Sequence, residues 1–156
     1  MNSQVTQRRS VELEAWANFL RAHAAVTRQL STELFETHSL TLNDFDVLAQ
    51  LARGPEHGLK RAELAERVLL TPSGITRLLE GLERAGYVAK GECPTDARVT
   101  YAVLTDEGRD KLRAASKTHL ASVRALLTER FTRQELDQLA ELLGRLPMRS
   151  DADCAD

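Results

Sequence analysis

Apolar residues recur at gaps of three and four from Val11 to Leu34, which is the spacing of one stripe along a helix. Ser39 is a capping residue type, so the sequence predicts a long first helix that ends near His38. Residues 1–9 are polar, and we expect them to fray.

Two short helices are predicted next. Thr41 caps the first and Gly54 ends it, while residues 54–59 form a loop and residues 60–67 form the second helix. Helical spacing turns inward Phe45, Leu48, Ala49 and Leu51 in the first helix, and Leu64, Ala65 and Val68 in and after the second.

A third short helix follows a turn at residues 69–70. Thr71 is a strong N-cap and Pro72 takes the first helical position. The helix runs to about Ala85, and Gly86 stands where a left-handed residue ends many helices. On a helical wheel the apolar face holds Ile75, Leu78, Leu79 and Leu82. The opposite face holds Ser73, Thr76, Arg77 and Glu80.

The pattern then changes to strands and back to helices. Residues 87–90 and 99–104 contain short runs of β-branched and aromatic side chains with turn-forming residues between them, so we predict an antiparallel hairpin with a long tip. Thr105 caps the next helix, and a capping box that begins at Thr132 opens the last one, which Pro147 ends.

The polar face of the third short helix is the main functional signal. Its small hydroxyls let the backbone approach a DNA major groove, and Arg77 can bond two acceptors on a guanine edge. Two short helices joined by a tight turn, the second with such a face, are typical of a helix-turn-helix. The alternative is an ordinary amphipathic surface helix. Gly74 and Gly81 each cost about 1 kcal/mol relative to alanine, which favours close approach of a neighbouring helix or of DNA.

The hairpin adds a second basic element. Arg98 on a thin β-ribbon can enter a narrow minor groove, Asp96 can orient its guanidinium group, and Lys90 lies on the first strand. The alternative is a solvated turn with an incidental ion pair, which contributes little stability.

The predicted fold class is therefore mainly α with a small β-hairpin wing. A winged helix-turn-helix domain at 41–104 lies between helices at 10–38 and 105–146 that form a dimerisation lobe, and we expect residues 148–156 to be disordered. Apolar residues make up 42% and aromatics 4% of the 156 residues, which fits a helix-rich protein. No apolar run is long enough to span a membrane and no secretion signal is evident, so the expected location is cytoplasmic.

The two cysteines, Cys93 and Cys154, have no partners at metal-ligand spacing. We expect reduced thiols, no metal site and no cofactor, and oxidation of Cys93 at the base of the hairpin is the alternative. The four histidines are scattered, and the sequence has no Gly-rich phosphate loop, H-E-x-x-H motif or nucleophile elbow. No catalytic residue is predicted, and the chain is not expected to be an enzyme.

Two segments resemble a known family. Residues 70–88, L-T-P-S-G-I-T-R-L-L-E-G-L-E-R-A-G-Y-V, resemble the centre of the MarR family (multiple antibiotic resistance regulators). D-A-R at residues 96–98, followed by L-T-x-x-G at residues 104–108, resembles the wing signature of that family. The helix order also agrees over about residues 11–146. Ala97 departs from the pattern, because many relatives carry a second basic residue there, so we expect a weaker grip by the wing.

The resemblance implies a homodimeric repressor that binds double-stranded DNA at a pseudo-palindromic operator and is released by a small phenolic or other aromatic anion. The expected DNA-contacting residues are Lys60, Arg61, Thr71, Ser73, Thr76, Arg77, Lys90, Asp96 and Arg98. The expected dimer interface includes Val11, Leu13, Leu126, Leu136, Leu139, Leu143 and Leu146.

Candidates for the effector site lie on the first helix: Trp16, Asn18, Leu20 and His23. Trp16 and His23 are seven residues apart and share a face, and each combines an apolar ring with a polar group. The alternative is that Trp16 lies in the core and that His23 is an interface residue.

Charge alone does not support DNA binding. The net charge is −2, and residues 60–98 hold seven basic and six acidic residues. Glu80 lies on the reading face and would repel phosphate unless it is paired. A winged-helix module that has lost DNA binding and joins proteins is therefore a second hypothesis. The DNA hypothesis requires five basic side chains to lie on one side: Lys60, Arg61, Arg77, Lys90 and Arg98.

Overall fold

The computed structural model describes residues 10–68, 70–92 and 100–146. Within these ranges the chain forms six helices and three strands. In chain order they are α1 (Val11–His38), α2 (Leu42–Arg53), β1 (Leu59–Lys60), α3 (Arg61–Arg67), α4 (Pro72–Arg84), β2 (Val88–Glu92), β3 (Thr100–Leu104), α5 (Asp106–Thr128) and α6 (Arg133–Leu143).

The predicted boundaries of α1 and α2 are confirmed. Ser39 follows α1 in the left-handed region, with φ 53°, and its amide N–H donates to the carbonyl of Phe35 at 2.8 Å. Thr41 then caps α2 in a reciprocal box: its Oγ1 accepts from the Asp44 amide at 3.1 Å, and Asp44 Oδ2 accepts from the Thr41 amide at 2.8 Å. Two capped ends therefore force the chain to turn between these helices.

The buried face of α2 differs from the predicted one. Val47 is fully buried beside Leu48 and Leu51, whereas Phe45 and Ala49 are only half-buried. The reason is that α2 contacts α1, α3, α4 and β3, so its neighbours cover more than a single helical stripe.

The sheet contains a strand that the sequence did not predict. Its strand order is β1-β3-β2, and both pairs are antiparallel. Leu59 lies opposite Ala102 and Lys60 opposite Tyr101. The prediction of a loop over 54–59 is therefore wrong at Leu59, and the prediction of a helix over 60–67 is wrong at Lys60, because α3 begins at Arg61. A segment of two residues is too short to show the alternation of apolar and polar side chains that predicts a strand. Leu59 and Lys60 are a strand only because they pair with β3. The hairpin of β2 and β3 is confirmed.

The buried core joins the helix-turn-helix to the sheet. Most residues predicted to face inward on α3 and α4 are buried: Leu64, Ala65, Val68, Ile75, Leu79 and Leu82. Leu78 is the exception, because it is only half-buried where it packs against this core. The buried residues pack in one cluster with apolar side chains of the other elements, namely Leu34, Leu40, Val47, Leu48, Leu51, Leu59, Val88, Ala102, Leu104 and Ala115. This cluster holds α4 by its apolar face.

The chain divides into two compact units, Met1–His119 and Leu120–Asp156. In the second unit the predicted capping box of α6 is confirmed, since Glu135 Oε2 accepts from the Thr132 amide at 2.8 Å. The predicted end at Pro147 is wrong: α6 ends at Leu143 with Gly144 as its cap, because glycine is a poor helix former. None of the described helices is long and apolar enough to cross a membrane.

Candidate nucleic-acid interface

The polar face of α4 begins at a well-capped N-terminus. Thr71 Oγ1 accepts a hydrogen bond from the Gly74 amide at 3.1 Å, and Pro72 occupies the first turn. Pro72 has no N–H group, and the Ile75 amide donates to the Thr71 carbonyl at 3.0 Å. The Ser73 amide has no hydrogen-bond partner among the described residues, and amides at this position of a helix are the groups that bind anions.

The side chains of this face differ in what they can offer. Ser73 and Arg77 are exposed, and Thr76 is half-buried. The Thr76 hydroxyl donates to the carbonyl of Pro72 at 2.9 Å, so its proton is already used and its methyl group and lone pairs remain. The Arg77 guanidinium, which carries five N–H donors, has no hydrogen bond or ion pair with any described residue.

The two helical glycines have different environments. A Cβ at Gly74 would lie 3.1 Å from Thr71 Oγ1, the capping oxygen, so the close neighbour there belongs to the helix's own cap. At Gly81 no described atom lies within 4 Å of the Cβ position. A neighbouring helix therefore does not explain Gly81 within the described chain.

Acidic groups lie at the C-terminal end of α4 and beside Lys90. The exposed Glu80 carboxylate has no partner among the described residues, while its backbone carbonyl accepts from Arg84 Nε at 3.2 Å. Lys90 Nζ on β2 lies 3.6 Å from Glu83 Oε2. Lys90 thus lies on the first wing strand, as predicted, but the carboxylate of Glu83 partly compensates its positive charge.

Lys60 and Arg61 lie where β1 passes into α3. The Lys60 backbone amide donates to Glu63 Oε2 at 2.9 Å, which closes the first turn of α3. The Lys60 side chain is exposed and Arg61 is half-buried. That these two and the other basic side chains share one side stays a prediction.

The wing is described only along its two strands. Its ladder runs from Val88 opposite Leu104 to Glu92 opposite Thr100. Asp96 and Arg98, like Cys93, lie outside the described residues.

The effector candidates lie on an exposed part of α1. Trp16 is 59% exposed, so it is not in the core of the chain. Its ring stacks on Phe19 with centroids 6.2 Å apart, and Phe19 lies 6.5 Å from the His23 ring. Phe19 therefore completes an aromatic row, although it was not among the predicted effector-binding residues. Leu20 is on the same side, whereas Asn18 is about 200° around the helix from Trp16.

A groove farther along α1 was not predicted. It has a volume of about 540 Å³ and is open to solvent. It contains none of the four effector candidates, because its lining combines the second half of α1 with the start of α2: Thr27, Ser31, Thr32, Phe35, Glu36, Thr41, Leu42 and Asn43.

The residues assigned to a dimer interface are mostly uncovered in the single chain. Val11 and Leu13 are 79% and 63% exposed, and α6 has no buried residue at all. Leu136 and Leu139 are half-buried, Leu143 and Leu146 are exposed, and Leu126 is already buried within the chain. Exposed apolar residues that were not predicted to belong to the interface include Leu120, Phe131 and Leu142.

The contacting helices α3 and α4, followed by the β2–β3 hairpin, define a winged helix-turn-helix protein. Residues 38–99 match the model of the MarR family. A transcriptional repressor of Bacillus subtilis, YetL, is 32% identical over 72% of this chain and 66% of its own length. A helix-turn-helix regulator of Bacillus cereus is 31% identical over 80% of this chain and 82% of its own length.

Among solved structures, the MarR family regulator Sco3205 of Streptomyces coelicolor, in complex with DNA, has a TM-score of 0.77 at 27% identity. The match covers 96% of this chain and 97% of that one. This chain belongs to the MarR family, and it is a transcriptional regulator of that type rather than an enzyme.

Proposed function

We propose that this chain is a homodimeric repressor that binds a pseudo-palindromic operator and is released by a small aromatic anion. The observation that carries the proposal is the N-terminal half of α4, where Ser73 and Arg77 are exposed and the Arg77 guanidinium is unpaired among the described residues. A long cation held on the outer face of a helix whose other face is buried is what base reading in a major groove requires.

The role of each polar group of α4 in this proposal follows from the hydrogen bonds that it makes or leaves open. Arg77 donates two hydrogen bonds to a guanine edge. Thr76, with its proton bonded to the Pro72 carbonyl, presents its methyl group to a thymine methyl. The Ser73 amide and the hydroxyls of Thr71 and Ser73, which are 3.3 Å apart, hold a phosphate at the positive end of the helix.

The remaining cations contact the DNA backbone around this centre. Lys60, Arg61 and Lys90 bind phosphates, and Arg98 enters the minor groove with Asp96 beside it. Phosphate contacts position the protein, while the few base contacts of α4 specify the site. DNA binding by a relative of the same fold supports this arrangement.

Dimer formation covers the apolar faces of the terminal helices. A helix with apolar residues and no fully buried side chain, such as α6, gains little hydrophobic stabilisation until another surface covers it. The proposed interface consists of the exposed Leu142 and Leu143 on α6, Leu146 just after α6, and Val11 and Leu13 on α1. These helices with α5 form the proposed dimerisation lobe at 10–38 and 105–146.

The effector binds beside the aromatic row of Trp16, Phe19 and His23. Stacked rings bind an aromatic ligand, and His23 supplies a donor for its carboxylate. Titration of salicylate-like compounds tests this step. A change in Trp16 fluorescence together with weaker DNA binding supports it, whereas a flat titration across the series contradicts it. A cytoplasmic location stays a prediction.

The main experiment is selection of bound duplexes from a random pool, followed by affinity measurements at rising salt. A palindromic consensus is expected, with binding that weakens as the salt concentration rises, because releasing counterions from the DNA then yields a smaller gain in free energy. Two half-sites about 10 base pairs apart fit two recognition helices on one face of the duplex. If no sequence is enriched and affinity does not depend on salt, the DNA proposal fails and the protein-interaction alternative gains support.

A further inference from the structure

The turn after α4 is bonded directly to the start of α5. The Thr105 hydroxyl donates to the Gly86 carbonyl at 2.7 Å and accepts from the Gly108 amide at 3.0 Å. The Thr105 amide donates to the Tyr87 carbonyl at 3.1 Å. One residue therefore caps α5 and also holds the residues that end the recognition helix. We call Gly86, Tyr87, Thr105 and Gly108 the α4–α5 joint.

Glycine is required at two places in the joint. Gly86 has φ +79°, a conformation that side-chain-bearing residues rarely adopt. A Cβ at Gly108 would collide with the Tyr87 carbonyl, so only glycine allows α5 to start this close to the turn. The Lys111 ammonium group adds a further contact, 5.5 Å from the centroid of the Tyr87 ring.

The joint unites two separate sequence signatures. Gly86 and Tyr87 lie near the end of the segment 70–88, which contains the recognition helix. Thr105 and Gly108 are the T and G of the L-T-x-x-G motif. The Thr105 and Gly86 groups that bond are 19 residues apart in the chain. The L-T-x-x-G motif follows the wing in sequence, but its polar group is bonded to the recognition-helix turn.

The joint lies at the start of α5, so a small change in the direction of this helix there produces a large displacement at its far end. α5 is one uninterrupted helix of 23 residues. Such a helix is about 34 Å long, so a change of about 10° at its start displaces its far end by about 6 Å. That exceeds the rise of about 3.4 Å for one base pair.

We propose that Thr105 is a positioning residue for DNA recognition: its hydroxyl fixes the angle between α4 and α5, and this angle sets which half-site spacing the dimer accepts. The inference rests on the proposed function, because spacing has meaning only for a dimer on a two-fold site. Thr105 contacts no DNA in this scheme. It acts through Gly86 and Gly108.

The test compares Thr105→Val with Thr105→Ser on a set of duplexes. Valine keeps the shape and removes the hydroxyl, and serine restores it. The duplexes carry the selected operator with its half-sites at the preferred spacing, or with one base pair added or removed at the centre. Thr32→Val is the matched control, because the Thr32 hydroxyl also bonds a backbone carbonyl, that of Arg28 at 3.0 Å, but lies on α1.

Wild type, Thr105→Ser and Thr32→Val should prefer one spacing strongly. Thr105→Val should bind that spacing at least about fivefold more weakly, because about fivefold corresponds to one lost hydrogen bond and the hydroxyl makes two. Its preference for that spacing over the altered ones should narrow. A purely structural role would lower affinity equally on all duplexes. An unchanged ratio between spacings in Thr105→Val therefore overturns the inference.

Two further arms keep the outcome decisive. If Thr105→Val does not fold, Thr105→Ala removes the same two hydroxyl bonds with a smaller side chain, and its spacing preference is read in the same way. If wild type selects no symmetric site, the proposed function has failed, whereas a normal wild type with an unchanged variant overturns only the role of Thr105.

Discussion

The ammonium group of Lys90 on the first wing strand lies 3.6 Å from the carboxylate of Glu83 on the recognition helix. The pair links α4 to β2, but the Lys90 side chain remains 62% exposed, so the bond itself contributes little stability. Its main effect is on charge, because it compensates a cation that the proposed interface directs to phosphate.

Glu83→Gln should therefore strengthen DNA binding. Removal of one negative charge near the duplex frees Lys90, and we expect severalfold tighter binding at low salt, with a smaller gain at high salt because exposed charges are screened. Fluorescence anisotropy with operator and scrambled duplexes measures it. Glu129→Gln is the control, since Glu129 also forms an exposed pair, with Arg130 at 3.7 Å, on the second unit. Equal gains in both variants would contradict a local role for Glu83.

Arg77→Ala should remove specificity more than total affinity. If Arg77 reads a base, its loss costs about 1–3 kcal/mol of binding free energy on the operator and less on scrambled DNA.

Arg98→Ala, by contrast, should weaken binding to most sequences and lower the salt dependence, as expected for a wing contact. Arg124→Ala, on α5, serves as the control. Unchanged affinity in both Arg77→Ala and Arg98→Ala would contradict the docking scheme.

Leu143→Glu should dissociate the dimer while the monomer stays folded. Leu143 is 37% exposed in the single chain, so a carboxylate there meets solvent in the monomer but apolar surface in the proposed dimer. Sedimentation should show monomers, and operator binding should be lost. Gln138→Glu adds the same charge at an exposed position of α6 and is the control. A dimeric Leu143→Glu protein would refute the assignment of α6.

Asp46→Asn should stabilise the protein at neutral pH. Burial raises the pKa of the Asp46 carboxyl, although a hydrogen bond from Gln50 and the charge of Arg53 oppose this. A raised folded-state pKa means that the folded state holds the proton more strongly, so the stability associated with Asp46 is lost as pH rises through that pKa. Asparagine avoids the loss.

Urea unfolding at two pH values tests this. The midpoint of Asp46→Asn should exceed that of wild type at pH 7, and the difference should vanish below the unfolded pKa of about 3.9. Asp137→Asn is the control, because Asp137 is exposed beside Arg133. A variant less stable than wild type at pH 7 would show that burial does not dominate at Asp46.

The sequence by itself determined the elements whose signals are local. The caps at Thr41, Thr71 and Thr132, the left-handed Gly86 and the apolar face of α4 all follow from residue type and spacing, because each involves neighbours within about one helical turn. The polar face of α4, with Ser73, Thr76 and Arg77, was predictable for the same reason.

Only the tertiary structure decided the contacts between distant segments. Pairing with β3 made Leu59 and Lys60 a strand, packing on four neighbours buried Val47, and the Lys90–Glu83 pair compensated a predicted DNA contact. The bond from Thr105 to Gly86 belongs to the same class. Such contacts depend on where the fold brings separate elements together, and no local spacing encodes that distance.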